Sequence, residues 1–194
     1  MAAGSPTRQA RGQEKAEQIL LATLAIIGRG GVGAVTYRSV AQEARVPLGS
    51  LTYYFGSKQE LLREALRLHV AEDTSRLRTL AAQLIAQGAS GGEVVEAFAS
   101  MLDDGHPDIA QFELYLEAAR DPALRDVAAE SLRAYGAVAE LALRAAGVPD
   151  PGATAGLIVA TIDGLGVHSA AAGDDVAIDL RSALKLLLRA LTRP

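Results

Sequence analysis

The chain contains few of the residue types that support cross-links, thiolate metal sites or aromatic cores. It has no cysteine and no tryptophan, and its aromatic residues are five tyrosines and three phenylalanines among 194 residues. The lack of cysteine excludes disulfides and thiolate metal sites. Hydrophobic residues, many of them alanine and leucine, make up 49% of a chain that is long enough for one large or two small domains. This composition favours an all-α protein.

The N-terminal half lacks an apolar segment long enough to act as a membrane anchor. The apolar stretch at residues 19–27 is shorter than the roughly 20 residues needed to cross a bilayer, and it has no signal-peptide cleavage context. We therefore expect a cytoplasmic protein with no membrane partner.

The net charge of −4 is divided unevenly along the chain. Residues 1–60 carry seven lysines and arginines against four acidic residues, a net charge of +3, whereas the remaining residues carry 12 against 19, a net charge of −7. This asymmetry indicates a nucleic-acid face near the N-terminus. Residues 1–12, which include Arg8 and Arg11, are predicted to be a disordered basic arm. The arm is either an unstructured terminus or a segment that contacts the phosphates or minor groove of DNA.

Hydrophobic spacing and capping residues predict four helices in the first third of the chain. Residues 13–28 form the first. Thr36 is a favourable N-cap for a short second helix, and Pro47 suits the first position of another. Ser57 and Glu60 have the spacing of a capping box and predict a longer fourth helix. Two short helices around a tight turn, braced by longer ones, are typical of a helix-turn-helix that reads DNA.

The sequence of residues 35–62, VTYRSVAQEARVPLGSLTYYFGSKQELL, resembles the helix-turn-helix of the TetR family of bacterial transcriptional repressors. It departs from the family pattern at Arg45, where glycine is usual, and at Thr52, where tyrosine is usual. The resemblance implies a helix-turn-helix DNA-binding domain at residues 13–60 and a helical ligand-binding and dimerisation domain at residues 61–194. It also implies a non-enzymatic repressor, without cofactors, that binds a double-stranded DNA operator and an unidentified small-molecule effector.

The resemblance also implies which residues meet DNA. Arg38 is expected to contact a guanine edge, because arginine grips guanine at two points. Lys58 is expected to hold a phosphate near a helix N-terminus. The full set of predicted DNA contacts is Thr36, Tyr37, Arg38, Arg45, Pro47, Leu48, Gly49, Ser50, Thr52, Tyr53, Tyr54 and Lys58.

The few aromatic residues after position 90 gather in successive predicted helices, which suggests that they line a pocket for a largely apolar effector. Any single one of them is more simply explained as ordinary core. The predicted ligand-binding residues are Phe98, Met101, Phe112, Tyr115, Leu116, Tyr135 and His168.

Two C-terminal helices are predicted to form a homodimer interface. Residues 153–172 are apolar nearly all round and should be buried on most sides. Small residues at Gly156, Ala160 and Gly164 leave a groove where another helix can approach, and the following helix offers Leu180, Leu184, Leu187 and Leu191. The alternative is that both helices complete a monomeric core.

Several other patterns carry no functional prediction. Gly28, Gly30 and Gly33 match the spacing of a dinucleotide-binding fingerprint, but a helix rather than a strand precedes them. The acidic turn at residues 103–108 contains oxygen and imidazole groups, yet such turns more often cap a helix than hold a metal. The three histidines have no nucleophile or metal partner at diagnostic spacing, so an enzyme is not predicted.

The remaining alternative is a helical ligand-binding or scaffold protein that has lost sequence-specific DNA binding.

Overall fold

A computed structural model describes residues 8–103, 109–173, 175 and 179–191. Within these residues the chain forms nine α-helices and two single turns of 3₁₀ helix, Val32–Ala34 and Pro122–Leu124. The all-α prediction is therefore confirmed. The helices are α1 (Arg8–Gly30), α2 (Tyr37–Glu43), α3 (Leu48–Tyr54), α4 (Lys58–Ala86), α5 (Gly91–Asp103), α6 (Ile109–Arg120), α7 (Arg125–Ala145), α8 (Pro151–Ala172) and α9 (Leu180–Leu191).

The first helix starts earlier than the sequence predicted. It begins at Arg8 rather than at residue 13, so the part of the predicted disordered arm from residue 8 to residue 12 is helical. Arginine, glutamine and alanine at the start of this segment favour helix, which extends the apolar-periodic segment by one turn. The rest of that arm, residues 1–7, lies outside the described residues, as does most of the acidic turn at residues 103–108.

The chain divides into two compact units whose boundaries differ from the predicted domains. The first unit takes in residues up to His69 together with Ala110–Ala128, and the second takes in Val70–Ile109 and Ala129–Pro194. The predicted division at residue 60 into two functional domains stays a prediction; the first compact unit extends nine residues beyond it along α4 and includes most of α6. Helix α6 belongs to the first unit because its buried face carries Gln111, whose side-chain oxygen lies 3.1 Å from Nε2 of His69 on α4.

The first unit is built around a small core beneath α1 to α4. Its fully buried side chains include Ile19 and Ile27 of α1, Val40 of α2, Leu51 of α3 and Leu61 of α4. Each short helix therefore contributes one deeply buried apolar residue. This burial fixes which faces of α2 and α3 remain outside.

The second unit contains two apolar clusters. One gathers buried residues of α4, α5 and α7: Leu77, Ala81, Leu84, Val94, Phe98 and Val138. The other gathers Ala139, Leu143, Val148 and Ala155, with Leu188 and Leu191 packed against it. Helix α9 packs on α5, where Glu96 forms ion pairs with both Arg181 and Lys185.

Helix α8 is far less covered than its sequence predicted. It is apolar along its length, yet Ala155 is its one buried residue. By length and composition it is apolar enough to cross a membrane, a test that core helices of soluble proteins also pass. The expectation that α8 is buried on most sides is therefore wrong for the single chain, because its residues other than Ala155 are half-buried or exposed.

Candidate functional site

Helix α2 is positioned by a capping box at its N-terminus. The Thr36 hydroxyl accepts a hydrogen bond from the Ser39 backbone N–H at 3.0 Å, and the Ser39 hydroxyl accepts one from the Thr36 backbone N–H at 2.9 Å. Two otherwise unpaired backbone donors are satisfied reciprocally. The predicted N-cap is confirmed. The cap leaves Arg38 exposed in the first turn of α2.

The turn between α2 and α3 contains a strained residue. Arg45 has a backbone φ of 53°, in the left-handed region that glycine adopts more easily. The turn is closed by the Val46 N–H, which donates to the Ala41 carbonyl oxygen at 3.0 Å. The side chain of Arg45 is exposed. Arg45 thus occupies the position where the family usually has glycine, in a conformation that suits glycine.

Helix α3 presents a polar and aromatic outer face. Its inner side is held by Leu51, which is fully buried, and by Phe55 just beyond its end. Tyr53 is 82% exposed and Leu48 is 50% exposed. Of the other predicted contacts in this region, Pro47, Gly49 and Thr52 are exposed, and Ser50 and Tyr54 are half-buried.

Tyr37 has a structural task that the sequence did not indicate. Its hydroxyl donates a 2.8 Å hydrogen bond to the Phe55 carbonyl oxygen, at the end of α3. Burial, and then the negative charge of Glu60, raise the pKa of Tyr37 above its usual value. The neutral hydroxyl is the form that donates this bond. Tyr37 therefore fixes the end of α3 relative to α2.

Lys58 also contacts protein in this structure. Its Nζ donates to the Val32 carbonyl oxygen at 2.8 Å, which links the start of α4 to the turn after α1. Ser57 caps α4 by accepting from the Glu60 N–H at 3.0 Å. The reciprocal half of the predicted capping box is displaced by one residue, because the Glu60 carboxylate accepts from the Gly56 N–H at 2.8 Å.

A shallow cleft of about 400 Å³ lies between α1 and the outer face of α3. It opens to solvent, and its lining residues are Lys15, Pro47, Gly49, Ser50, Tyr53 and Tyr54. Five of these six were predicted to contact DNA. Lys15 was missed, because nothing in the local pattern of α1 indicates that its eighth residue reaches the side of α3.

The predicted effector residues fall into three places. Phe98 is buried in the second unit, and Met101 and Tyr135 pack against the same cluster. The Tyr135 hydroxyl donates to Asp73 Oδ2 at 3.0 Å. In contrast, Phe112, Tyr115 and Leu116 belong to the first unit, where Leu116 is 54% exposed.

The aromatic side of α6 is not its buried face. The buried residues of α6 are Ala110, Gln111, Leu114 and Ala118, whereas Phe112 and Tyr115 are half-buried and Leu116 is exposed. His168 of α8 is exposed, on the same side of that helix as Gly164. The structure thus groups three of the seven predicted effector residues.

The predicted interface residues also separate. Gly156 and Ala160 are exposed, and Gly164 is half-buried. On α9, Leu184 is only 7% exposed, and Leu191 packs on an apolar cluster of its own chain. Leu184 is therefore buried within its own subunit and Leu191 packs beside a core cluster, while the assignment of both residues to an interface stays a prediction. Leu180 and Leu187 are half-buried. Among the described residues of α9, Leu186 is an exposed large apolar residue.

Two parts of the sequence match known family profiles. Residues 19–65 match the profile for bacterial regulatory proteins of the tetR family, and residues 89–194 match the tetracyclin repressor-like C-terminal domain. The second match alone covers more than half of the chain. The chain belongs to the TetR family. The resemblance predicted from residues 35–62 is confirmed, and members of this family are non-enzymatic transcription factors that bind DNA and small-molecule effectors.

Individual relatives agree with this assignment. The HTH-type transcriptional regulator BetI of Paraburkholderia phymatum is 31% identical over 175 residues, which cover 87% of each chain. The HTH-type transcriptional repressor KstR of Mycolicibacterium smegmatis is 50% identical over 54 residues, 28% of this chain and 26% of KstR.

Solved structures of the multidrug binding protein EbrR match nearly the whole chain. Its complex with imidazole is 30% identical, covers 100% of this chain and 99% of EbrR, and has a TM-score of 0.69. Its complex with proflavin is 32% identical, covers 90% and 98%, and has a TM-score of 0.62. These relatives favour a DNA-binding regulator over a scaffold that no longer reads DNA.

Proposed function

We propose that this TetR family regulator is a homodimeric repressor in the cytoplasm that occupies a near-palindromic operator and releases it when a small, largely apolar effector binds. The observation that carries the proposal is the outer face of α3, whose exposed side chains include Leu48, Thr52 and Tyr53. A dimer would present two such helices about 34 Å apart, one turn of duplex DNA. A small dimer bound to a promoter blocks access of RNA polymerase, and it needs no activation surface to do so.

The predicted DNA roles fit the observed hydrogen bonds with two refinements. Lys58 uses one of its three ammonium donors on the Val32 carbonyl, which leaves two for a phosphate. Tyr37 acts on DNA through α3, by holding the Phe55 carbonyl. Arg38 has no hydrogen bond or ion pair to another described residue, which supports its assignment to a guanine edge.

The uncovered face of α8 supports the homodimer. Gly156, Leu157, Ala160 and Val167 are exposed along one side of this apolar helix. Apart from the chain neighbours and the nearby backbone of α8 itself, no described atom lies within 4 Å of a Cβ added at Gly156 or Gly164, so packing against other helices does not require glycine at either position. A second copy of α8 approaching along this side would bury apolar surface, and its close approach would explain why both positions are glycine.

The cluster around Phe98, Met101 and Tyr135 supports an effector site in the second unit. The nearby carboxylate of Asp73 is compensated, because it accepts from Tyr135 and forms a 2.8 Å ion pair with Arg76. A compensated acid beside aromatic and aliphatic side chains suits a ligand that is mainly apolar. EbrR, which has been solved with proflavin and with ethidium, suggests planar aromatic compounds as the first probes.

The decisive experiment is fluorescence anisotropy of the purified protein with DNA from upstream of its own gene and with a scrambled duplex. Specific binding should exceed non-specific binding by about 10³ or more at physiological salt. The stoichiometry should be one or two dimers per site. Equal, weak and strongly salt-dependent binding to both duplexes, followed by failure to enrich any site from random DNA, would contradict the proposal.

The effector is tested separately and without DNA at first, because proflavin and ethidium intercalate into duplexes. Proflavin fluorescence is titrated with wild-type protein and with Phe98→Ala and Tyr135→Phe variants. A non-intercalating compound found by thermal shift is then added to the operator complex. Binding and DNA release are reciprocally coupled, so a bound ligand that leaves operator affinity unchanged would contradict this part of the proposal.

A further inference from the structure

The recognition helix carries no charge of its own. The seven residues of α3, LGSLTYY, include no lysine, arginine or acidic residue. Affinity for duplex DNA depends largely on cations that neutralise phosphates, and each neutralised phosphate steepens the salt dependence. The cations that serve α3 must therefore come from neighbouring elements.

Two nearby cations each have one partner within the protein. Lys58 donates to the Val32 carbonyl oxygen at 2.8 Å, and Arg29 forms a 2.8 Å ion pair with Glu43. Lys15 differs from both. Within the described residues no hydrogen bond or ion pair holds its ammonium group, and it lines the cleft beside α3.

The backbone of α1 comes close to a side chain of α3 at this point. A Cβ added at Gly12 would lie 3.7 Å from the Tyr54 hydroxyl oxygen, so this turn of α1 lies beside the tip of the Tyr54 side chain. Arg11, exposed and four residues before Lys15, lies on the same side of the helix. The acidic residues Glu14 and Glu17 project about 100° and 160° away around α1. The side of α1 that meets the cleft is thus basic.

We propose that Lys15 binds a backbone phosphate of the operator, and that the sugar-phosphate backbone of one DNA strand lies in the cleft between α1 and α3. Lys15 supplies the charge. The Ser50 hydroxyl is a neutral donor on the opposite wall, and Tyr53 and Tyr54 complete the lining. The ligand is a phosphodiester, so the contact adds affinity without base preference. This inference rests on the proposed DNA-binding function and adds α1 to the interface.

The test compares wild-type protein with Lys15→Gln, which keeps most of the side-chain length and removes the charge. Anisotropy titrations against operator and scrambled duplex are run over a salt series. A dimer loses one phosphate contact per subunit, so the slope of log K against log[salt] should become shallower by about 1.8 on both duplexes. Affinity should fall by a similar factor on each. Lys15→Arg should retain the wild-type slope.

Arg133→Gln is the matched control, because Arg133 is an exposed arginine of α7 in the second unit. It removes the same charge from the protein and should leave the slope unchanged. Helical circular dichroism and thermal melting of Lys15→Gln establish that the variant is folded. If it is not, Lys15→Met, which keeps the apolar stem, replaces it.

Two results would overturn the inference. An unchanged slope for folded Lys15→Gln would show that the ammonium group meets no phosphate. A loss confined to the operator duplex would show that Lys15 reads a base. Both are distinct from failure of the proposed function, in which wild-type protein itself fails to separate any operator from scrambled DNA.

Discussion

The backbone of Arg45 lowers the stability of the protein, whereas its side chain is placed to strengthen DNA binding. Its φ of 53° lies in the left-handed region, which costs a residue with a Cβ roughly 1–2 kcal/mol relative to glycine. Its guanidinium is exposed beside the predicted DNA face. Arg45→Gly should relieve the strain, offset in part by the greater freedom of glycine in the unfolded chain, and stabilise the protein by about 1 kcal/mol.

Thermal melting and operator affinity separate these effects. A gain of about 1 kcal/mol corresponds to a rise in melting temperature of roughly 2–4 °C for a chain of this size. Arg45→Ala retains Cβ and should show no such rise. If both variants lose the same affinity for DNA, the guanidinium contacts it. A melting temperature that falls in Arg45→Gly would contradict the strain argument.

Arg38 should determine sequence discrimination rather than overall affinity. It is exposed at the start of α2, and the family resemblance assigns it to a guanine edge. Arg38→Ala should cost roughly 1–3 kcal/mol on the operator and much less on an operator with that guanine replaced. Competition anisotropy with the two duplexes measures the difference. Unchanged discrimination at wild-type affinity would exclude the base contact.

The sequence predicted contacts between near neighbours and missed those between distant residues. Thr36 and Ser57 could be identified as caps, because their partners lie three residues away. The hydrogen bond from Lys58 to Val32 spans 26 residues, and its geometry depends on how α1 and α4 pack. The position of Lys15 beside α3 depends on the same packing. Residue types alone do not determine the angles at which these helices pack.

At the scale of the helix, periodicity predicted where elements lie better than which face they bury. Successive helices were predicted for the aromatic residues after position 90, yet in α6 these residues lie outside the buried stripe that includes Gln111. The reason is Gln111, a polar residue whose burial is offset by hydrogen bonds to His69 and Tyr115. A pattern that counts only apolar residues assigns such a residue to the surface.

Asp163 gives α8 a pH-dependent stability. Burial raises the pKa of its carboxyl above the usual value. The protonated form is favoured in the folded state, so the stability linked to this group is fully present below the unfolded pKa and is lost as pH rises through the folded pKa. Asp163→Asn should therefore raise the melting temperature at pH 7, with a smaller gain at pH 4.

Asp179 is a matched control, because its pKa is shifted in the opposite direction from that of Asp163. Hydrogen bonds from the Ser182 N–H and hydroxyl lower the pKa of its carboxyl, and it caps α9. Its contribution is present above the unfolded pKa and is lost as pH falls through the folded pKa. Asp179→Ala should therefore lower the melting temperature more at pH 7 than at low pH. Destabilisation by Asp163→Asn at pH 7 would show that a cation compensates Asp163 in the assembled protein.

For the whole molecule, the boundary of the first unit could not be predicted, because α6 joins it from a distant part of the sequence. Similarly, the apolar pattern of α8 indicated that the helix is buried, but not whether its own chain or a second copy covers it. The pattern shows how much apolar surface a helix must bury. The sequence pattern is the same whether that surface packs within the chain or against a second copy.

A single substitution on α8 tests this interpretation of its exposed face. Gly156 is exposed, and apart from its chain neighbours and the nearby backbone of α8, no described atom lies within 4 Å of a Cβ added there, so Gly156→Arg fits the isolated subunit. Replacing a helical glycine also favours the helix by about 0.5–1 kcal/mol. In a dimer whose α8 helices meet along this face, the added side chain would separate them and place a charge in an apolar contact. We expect folded monomer by sedimentation velocity.

Loss of the dimer should abolish tight operator binding, because two recognition helices must be held one duplex turn apart. Gln83→Arg adds the same charge at an exposed position of α4 and should leave both association and DNA binding unchanged. A Gly156→Arg protein that sediments as a dimer and binds operator normally would place the interface elsewhere. A folded monomer that binds only weakly, with the same affinity for operator and scrambled duplex, would show that the second copy provides the spacing that α3 alone cannot.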